Sequence, residues 1–162
     1  MTLDKFTIKA QEAIQEAVNT AQSGGQQSIE PVHLLHGVMT KGRDVTNFIF
    51  QKLGVNSAQI DSLISREIQH LPRVQGAGQP YLSGESNNVL NTAQDIAGKN
   101  GDEFVSVEPL LLALLTVNST ASRIMKDAGM TEKDMRAAID ELRQGRKVQS
   151  QSADDNYQSL SK

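Results

Sequence analysis

The side chains best suited to chemistry in this sequence are two histidines and two acidic pairs. His33 and His36 are three positions apart, so on a helix they would share one face and could begin a metal site. The flanking acids do not complete a recognised ligand set, so we expect His33 to be partly buried, His36 to be solvated and no metal to be bound. The pairs Asp102-Glu103 and Asp154-Asp155 could in principle transfer protons. Because the first lies in a predicted turn and the second in a polar tail, we expect them to serve capping and solvation.

Motifs that bind nucleotides or activate nucleophiles are missing from the sequence. It contains no Gly-x-x-x-x-Gly-Lys-Ser/Thr phosphate loop, no Gly-x-Ser-x-Gly turn and no cysteine. We therefore predict no catalytic residue and no cofactor in this chain. The alternative of a small enzyme with acid catalysis at the Asp102 turn would require one deep pocket with strongly perturbed carboxylates.

Composition and charge narrow the possible partners. The formal net charge is -3 and the sixteen Lys and Arg residues are mostly scattered singly, which disfavours binding to nucleic acid or to an anionic membrane. No apolar run approaches the ~20 residues that span a bilayer, and residues 1–9 lack the apolar stretch of a secretory signal. Together with the absence of cysteine, these features predict a cytoplasmic location.

Apolar residues recur at helical spacing and predict an all-α fold. The pattern indicates a first helix from Asp4 to Gln22, a second that opens at Pro31, a third from Asp44 to Leu53 and a fourth capped by Asn56. A segment rich in Gly and Pro, residues 72–80, then predicts a connecting loop.

The same pattern of residues returns after this loop. At an offset of 76 the apolar and glycine positions of the two halves coincide, and at 75 they coincide again after one deletion. Matching pairs include Phe6 and Leu82, Ala17 and Ala93, Gly25 and Gly101, Leu34 and Leu110, and Ile64 and Ile139. An offset of 78, which would instead align the two Glu-Pro pairs, remains an alternative register for the repeat.

The duplication predicts the architecture. We expect two pseudo-symmetric four-helix repeats, residues 1–71 and 81–145, joined by the loop 72–80 into one eight-helix globular domain. Each repeat is too small to be stable alone, so an apolar seam between them is expected, with a groove along it. The polar composition of residues 146–162 predicts a flexible linker.

Three segments carry a resemblance to a known family. The stretch from Leu3 to Ala13, the motif from Ile29 to Leu35 and the turn from Gly101 to Val105 resemble the Clp N-terminal repeat domain. The loop 71–83 and the tail 154–157 are most similar to those of ClpB-type AAA+ disaggregases, ahead of the ClpA and ClpC types. The resemblance covers residues 1–145, and the tail matches the linker to a first ATPase module that this chain does not contain.

The resemblance implies a function in binding and not in catalysis. Domains of this type bind exposed apolar segments of unfolded or aggregated proteins, which a homohexameric, ATP- and Mg-dependent ring then threads with help from the DnaK system. It implies that this chain alone is monomeric and binds neither cofactor nor metal. The alternative within the family is a ClpC- or ClpA-type domain, which docks adaptor proteins for a protease.

The resemblance also implies substrate-binding positions, which are Thr7, Leu90, Asp102, Glu108, Pro109 and Leu110. Position 109 departs from the family, in which a Leu often contributes to the groove. Helix capping and turn hydrogen bonding are an alternative role for Thr7, Asp102 and Glu108. An apolar groove with a polar rim predicts weak, promiscuous binding, since peptide ordering offsets most of the gain from buried area.

Overall fold

The structure is a computed structural model that describes residues 3–76 and 78–154. In these residues it contains eight α-helices and two very short strands. The elements are α1 (Ile8–Ser23), β1 (Ser28–Ile29), α2 (Pro31–Lys41), α3 (Arg43–Leu53), α4 (Ser57–His70), β2 (Tyr81–Leu82), α5 (Gly84–Lys99), α6 (Val107–Thr116), α7 (Thr120–Asp127) and α8 (Glu132–Arg143). The predicted all-α fold of eight helices is confirmed.

Side-chain caps place the helix starts close to their predicted positions. Asn56 accepts a hydrogen bond from the amide of Gln59 at the start of α4, and Pro31 is the first residue of α2. Helix α1 begins at Ile8, four residues later than predicted, with Thr7 as its cap. The later start has a clear cause, because Asp4 and Lys5 form a turn and the backbone around Phe6 hydrogen-bonds to Val105.

Two short backbone pairings cross between the halves. Strands β1 and β2 pair in parallel with Ile29 opposite Leu82, and an isolated parallel bridge joins Phe6 to Val105. At the offset of 76, Phe6 corresponds to Leu82 and Ile29 to Val105, so the segment before the first helix of each half pairs with the segment before the second helix of the other half. This exchange is the pseudo-symmetry that the duplication predicts.

The start of α6 settles the offset of the repeat. Glu30 precedes α2 and Ser106 precedes α6, which are 76 positions apart. Pro109 is therefore the third residue of α6, in the first turn, where a helix leaves backbone N–H groups without intrahelical partners and a proline is tolerated. The two Glu-Pro pairs are not structurally equivalent.

One apolar core extends through both halves. Two glycines allow its helices to approach closely. A Cβ atom at Gly37 would lie 2.0 Å from the carbonyl oxygen of Ala13, and one at Gly42 would lie 2.9 Å from a methyl group of Val107. Gly37 thus sets the packing of α2 on α1, and Gly42 closes the seam between the halves.

The prediction that residues 146–162 form a linker is wrong for residues 146–154. Val148, Ala153 and Asp154 are buried against the helices. Backbone hydrogen bonds from Glu103 to Val148 and from Ile8 to Gln151 secure the segment. This packing could not be predicted from the polar composition, because two of the buried residues, Val148 and Ala153, are small and the third, Asp154, is acidic. Residues 155–162 lie outside the described residues.

Substituting Gly37 by Ala should destabilise the fold by about 3 kcal/mol, because the new methyl group would overlap a backbone carbonyl that cannot move without shifting α1. Urea unfolding followed by far-UV circular dichroism measures the change.

Gly98→Ala is the matched control for this substitution. Gly98 lies in α5 with open space around its Cα, so the change should be neutral or stabilising by up to ~1 kcal/mol. Equal midpoints for the two variants would show that α1 and α2 do not depend on the close approach.

Candidate functional site

A buried ionic cluster centres on Arg143, the last residue of α8. Its guanidinium donates to Glu108 through Nε and to Asp102 through Nη1, both at 2.8 Å, and to the Ser106 hydroxyl through Nη2 at 3.0 Å. The side chains of Asp102 and Glu108 are fully buried. The planar fork of the guanidinium suits two carboxylates at once, so one side chain ties α8 to the start of α6 and to the turn before it.

Asp154 extends this cluster from the returning tail. Its carboxyl group accepts hydrogen bonds from the Thr7 hydroxyl and, at 3.3 Å, from the amide of Val107. Burial, reinforced by the neighbouring Glu108 carboxylate, raises the pKa of Asp154 to about 7. The hydrogen bonds from Thr7 and Val107 oppose this rise. Asp154 thus differs from an ordinary surface aspartate in its readiness to hold a proton.

His33 belongs to a second buried polar network. Its Nδ1 accepts a hydrogen bond from the Glu30 amide at 2.9 Å, and its Nε2 lies 3.0 Å from the side-chain oxygen of Gln26. Because Nδ1 is an acceptor here, the proton lies on Nε2 and is donated to Gln26. Burial lowers the pKa of His33 to about 4. The ring is wholly buried, more than the predicted partial burial, and both nitrogens are engaged in structure.

His36, in contrast, is half-exposed and lies 3.8 Å from Glu16. Among the described residues, no three His, Asp or Glu side chains are grouped so that they could hold a metal ion. Within the same residues, no helix combines the length and apolar character needed to cross a bilayer.

An open cavity with an apolar floor lies between α5, α6 and α8. It has a volume of about 190 Å³. Its floor is formed by Ile96, Pro109, Leu112 and Ile139, and its rim by Asn100, Arg136 and Asp140. Apolar walls with a few polar groups at the edge are typical of sites that bind apolar ligands. The cavity lies within the second repeat and not along the seam, where a groove was expected, because Val107 packs into the seam opposite Gly42.

The first repeat carries polar residues at three of the four positions that form this floor. At the offset of 76, Thr20, His33 and His36 correspond to Ile96, Pro109 and Leu112. His33 is buried against Gln26, and Thr20 and His36 both contact Glu16. Only Ile64, which corresponds to Ile139, keeps its apolar character. An apolar floor is therefore a feature of the second half.

The six predicted site residues lie in three different settings. Thr7, Asp102 and Glu108 meet in the buried ionic cluster. Leu90 and Leu110 are core residues with exposures of 2% and 0%. Only Pro109 lines the open cavity. The structure thus brings together the three polar residues but separates them from the apolar floor.

Sequence reasoning missed Arg143 and Asp154 in the cluster, and Ile96, Leu112 and Ile139 in the cavity floor. Arg143 ends an amphipathic helix, where a basic residue is normally read as solvated. The floor residues have ordinary helical spacing, and the structure places them in the buried core, where they also line the cavity. A signal was present in the comparison of the repeats, since apolar residues replace polar ones at the positions of Ile96 and Leu112.

Comparison with known proteins identifies the family. Residues 5–128 match the Clp repeat (R) N-terminal domain. The chain belongs to this family. The whole of this Clp repeat domain is 62% identical to part of the chaperone protein ClpB of Bacteroides thetaiotaomicron and 48% identical to part of that of Porphyromonas gingivalis. It spans 19% of the length of each of these relatives.

The solved structures agree with this assignment at the level of the fold. The Clp repeat domain resembles the crystal structure of the Hsp104 N-terminal domain from Candida albicans, with a TM-score of 0.82, 23% identity and coverage of 93% of this chain and 99% of that one. The similarity of the whole chain to ClpB chaperones favours the ClpB-type interpretation over the ClpA- or ClpC-type alternative.

Replacing Arg143 by Met should destabilise the domain by about 3–5 kcal/mol, because two buried carboxylates would lose the guanidinium that pairs with both of them. Chemical denaturation monitored by circular dichroism measures the loss. Arg136→Met is the control, since Arg136 pairs with Glu132 at the surface, and it should cost less than ~0.5 kcal/mol. Similar costs for both variants would contradict the central role of the cluster.

The His33 network makes stability depend on pH. The pKa of His33 is lowered to about 4 in the folded state from 6.5, so its contribution is present above pH 6.5 and is lost as the pH falls through 4. Asp154, whose pKa is raised from 3.8 to about 7, acts oppositely: its contribution is present below pH 3.8 and is lost as the pH rises through 7. The two groups change the free energy of unfolding with pH in opposite directions, so their effects partly cancel in the wild-type domain.

In His33→Gln, the pH dependence of the free energy of unfolding that comes from Asp154 should therefore no longer be opposed by that from His33. Gln can accept from the Glu30 amide as His33 does, but it does not titrate. We expect the free energy of unfolding of the variant, relative to wild type, to improve by about 1–3 kcal/mol between pH 7 and pH 4, measured by urea unfolding at several pH values. A smaller change is expected from the control His36→Gln. A constant difference across this range would refute a neutral, buried His33.

Proposed function

We propose that this Clp repeat domain is the substrate-binding N-terminal domain of a ClpB-type protein disaggregase and that it binds exposed apolar segments of unfolded or aggregated proteins. The observation that carries the proposal is the 62% identity to a ClpB chaperone over all 162 residues. The open cavity between α5, α6 and α8, which has an apolar floor and a polar rim, supports it.

The cavity supplies the proposed binding surface. Ile96, Pro109 and Ile139 form its floor, and a passing Leu, Val or Phe side chain would bury part of its area there at roughly 25 cal/mol per Å² gross. Ordering of a flexible polypeptide offsets most of this gain. Binding is weak and tolerant of sequence, which suits a domain that meets many unfolded chains.

Thr7, Asp102 and Glu108 act on binding indirectly in this proposal. Through Arg143, Asp102 and Glu108 hold α8 against the start of α6, and these two helices carry Ile139 and Pro109. Thr7 reaches the same cluster through Asp154. Leu90 and Leu110 support the same helices from within the core. Of the six residues that the sequence suggested, Pro109 is therefore the one that touches the ligand.

The remaining features of the whole protein are part of the same proposal. Catalysis, with ATP and Mg, belongs to ATPase modules outside this chain, and this domain is not an enzyme. The whole protein acts as a homohexamer with the DnaK chaperone system in the cytoplasm, whereas residues 1–162 alone are monomeric. Neither nucleic acid nor membrane is a partner. A flexible attachment to a ring would convert weak binding into a high local concentration of substrate.

Truncation of Ile139 tests the site. In an NMR titration with a reduced, carboxymethylated polypeptide that is permanently unfolded, wild-type amides around the cavity should shift, and Ile139→Ala should raise Kd about fivefold, since about 1 kcal/mol of apolar contact is lost. The titrations are run well below the unfolding midpoint of each variant.

Ile64→Ala is the matched control. Ile64 occupies the equivalent position in α4 and is a buried core residue like Ile139, but it does not line the cavity. Its loss should therefore lower stability and leave Kd unchanged. Equal effects of the two substitutions on Kd would place the site elsewhere. Absence of any amide shift at millimolar polypeptide would refute direct substrate binding and would favour docking of a folded adaptor.

A further inference from the structure

The segment 147–154 is held to the rest of the domain by several hydrogen bonds but by only two buried apolar side chains, those of Val148 and Ala153. Val148 is buried and its amide donates to Asp102 at 3.0 Å, the Ile8 amide donates to Gln151 at 2.7 Å, and Asp154 closes the segment. The residues between these anchors are mostly exposed. Segments with few buried apolar contacts open at a lower free energy than the core does. We name residues 147–154 the latch.

The anchor at Asp154 places a carboxyl group where negative charge is already in excess. The carboxylates of Asp102 and Glu108 already share the guanidinium of Arg143, and the carboxyl group of Asp154 is brought close to that of Glu108. Arg143 satisfies one oxygen of Asp102 and one of Glu108. The other oxygen of Glu108 is buried and receives no hydrogen bond from any described residue when Asp154 is ionised.

A proton on Asp154 would remove the excess negative charge and would also give the buried oxygen of Glu108 a hydrogen-bond donor. The Asp154 carboxyl accepts from the amide of Val107, the residue before Glu108, which brings the two carboxyl groups together. A protonated Asp154 can therefore donate to the unpartnered oxygen of Glu108 while it still accepts from Thr7 and Val107. If Asp154 is ionised, the two carboxylates repel each other in a site that excludes water. The docked latch therefore prefers one shared proton.

Other charged groups border the cavities that Asp154 lines, and their charges nearly balance. On α1 they are Lys9 and Glu12, and at the α2–α3 junction they are Lys41, Arg43 and Asp44. The hydrogen bonds to Asp154 within the described part of the chain come from Thr7 and Val107 and from none of these groups. Glu108 is accordingly the carboxylate whose charge acts most directly on Asp154.

We propose that residues 147–154 form a releasable latch, which docks when the Asp154–Glu108 pair holds a proton and is weakened when that proton is lost. Release would add eight residues to the tether between this domain and the chain that follows, an added reach of up to about 27 Å. The latch would thus set how far the domain ranges, independently of whether it binds unfolded polypeptide.

Native-state hydrogen exchange of the 162-residue chain tests the proposal. The amides of Ile8, Glu103 and Val148 donate across the latch, so their protection factors, corrected for intrinsic exchange at each pH, report its opening. Because docking raises the pKa of Asp154 from 3.8 to about 7, these factors should fall by up to about tenfold per pH unit from pH 5 to pH 7. Above about pH 7.5 they should level off.

Asp154→Asn is the decisive variant. The amide oxygen can accept from the Val107 amide while the NH2 group donates to the Thr7 hydroxyl and to Glu108 without titrating, so the protection factors of the variant should be independent of pH in this range. Glu103→Gln is the matched control, since it removes an exposed carboxylate beside the latch and should keep the wild-type slope.

Three results would overturn the proposal. They are a flat pH profile in the wild-type protein, a retained slope in Asp154→Asn, and a parallel fall at the core amide of Leu111, which would indicate global unfolding. If circular dichroism shows that Asp154→Asn does not fold, two measurements on the wild-type protein test the proposal instead. They are the pH profile of the protection factors and a ¹³C titration of the Asp154 carboxyl. A carboxyl that titrates near pH 4 rejects the latch.

Discussion

The buried guanidinium of Arg143 is the interaction on which the second half of this domain depends. A charge removed from water is tolerated only when its donors meet acceptors of good geometry, and here Asp102, Ser106 and Glu108 provide them. These acceptors lie on the turn before α6 and in its first turn, whereas Arg143 ends α8. The position of α8 against α6 is therefore specified by charge and hydrogen bonding as well as by apolar packing, and the cavity between them inherits that geometry.

The cluster also explains why the chain does not leave the domain at the end of α8. The turn that carries Asp102 offers its second carboxylate oxygen to the Val148 amide, and the first turn of α6 offers the Val107 amide to Asp154. Both groups would otherwise need water or another partner. The returning tail completes the hydrogen bonding of the cluster, but it brings a third carboxyl group, so the arrangement is balanced only with a proton.

A structural element could be predicted from the sequence when its residues follow a repeating pattern. Helices such as α1 and α4 carry apolar stripes several turns long, and the duplication reinforces them, so the eight-helix fold was accessible from sequence. Strands of two residues have no usable period, and the linker prediction failed at Val148 and Asp154 because isolated anchors leave no pattern. Among the site residues, the family resemblance pointed to Glu108, but the partner that determines its setting, Arg143, is 35 positions away.

Comparison of the halves shows how a duplicated unit can acquire a site on one side. In the first repeat, His33 and Gln26 close the space between α1, α2 and α4 with a neutral hydrogen-bonded pair, which requires a buried, uncharged imidazole. In the second, Pro109 occupies the position of His33 and offers no polar group to close the equivalent space. The adjoining helix is fixed from its far end by Arg143, so the space can stay open without a side chain to fill it. The fold tolerates an open cavity with an apolar floor there because an ionic cluster, placed beside the cavity, maintains the separation of the helices.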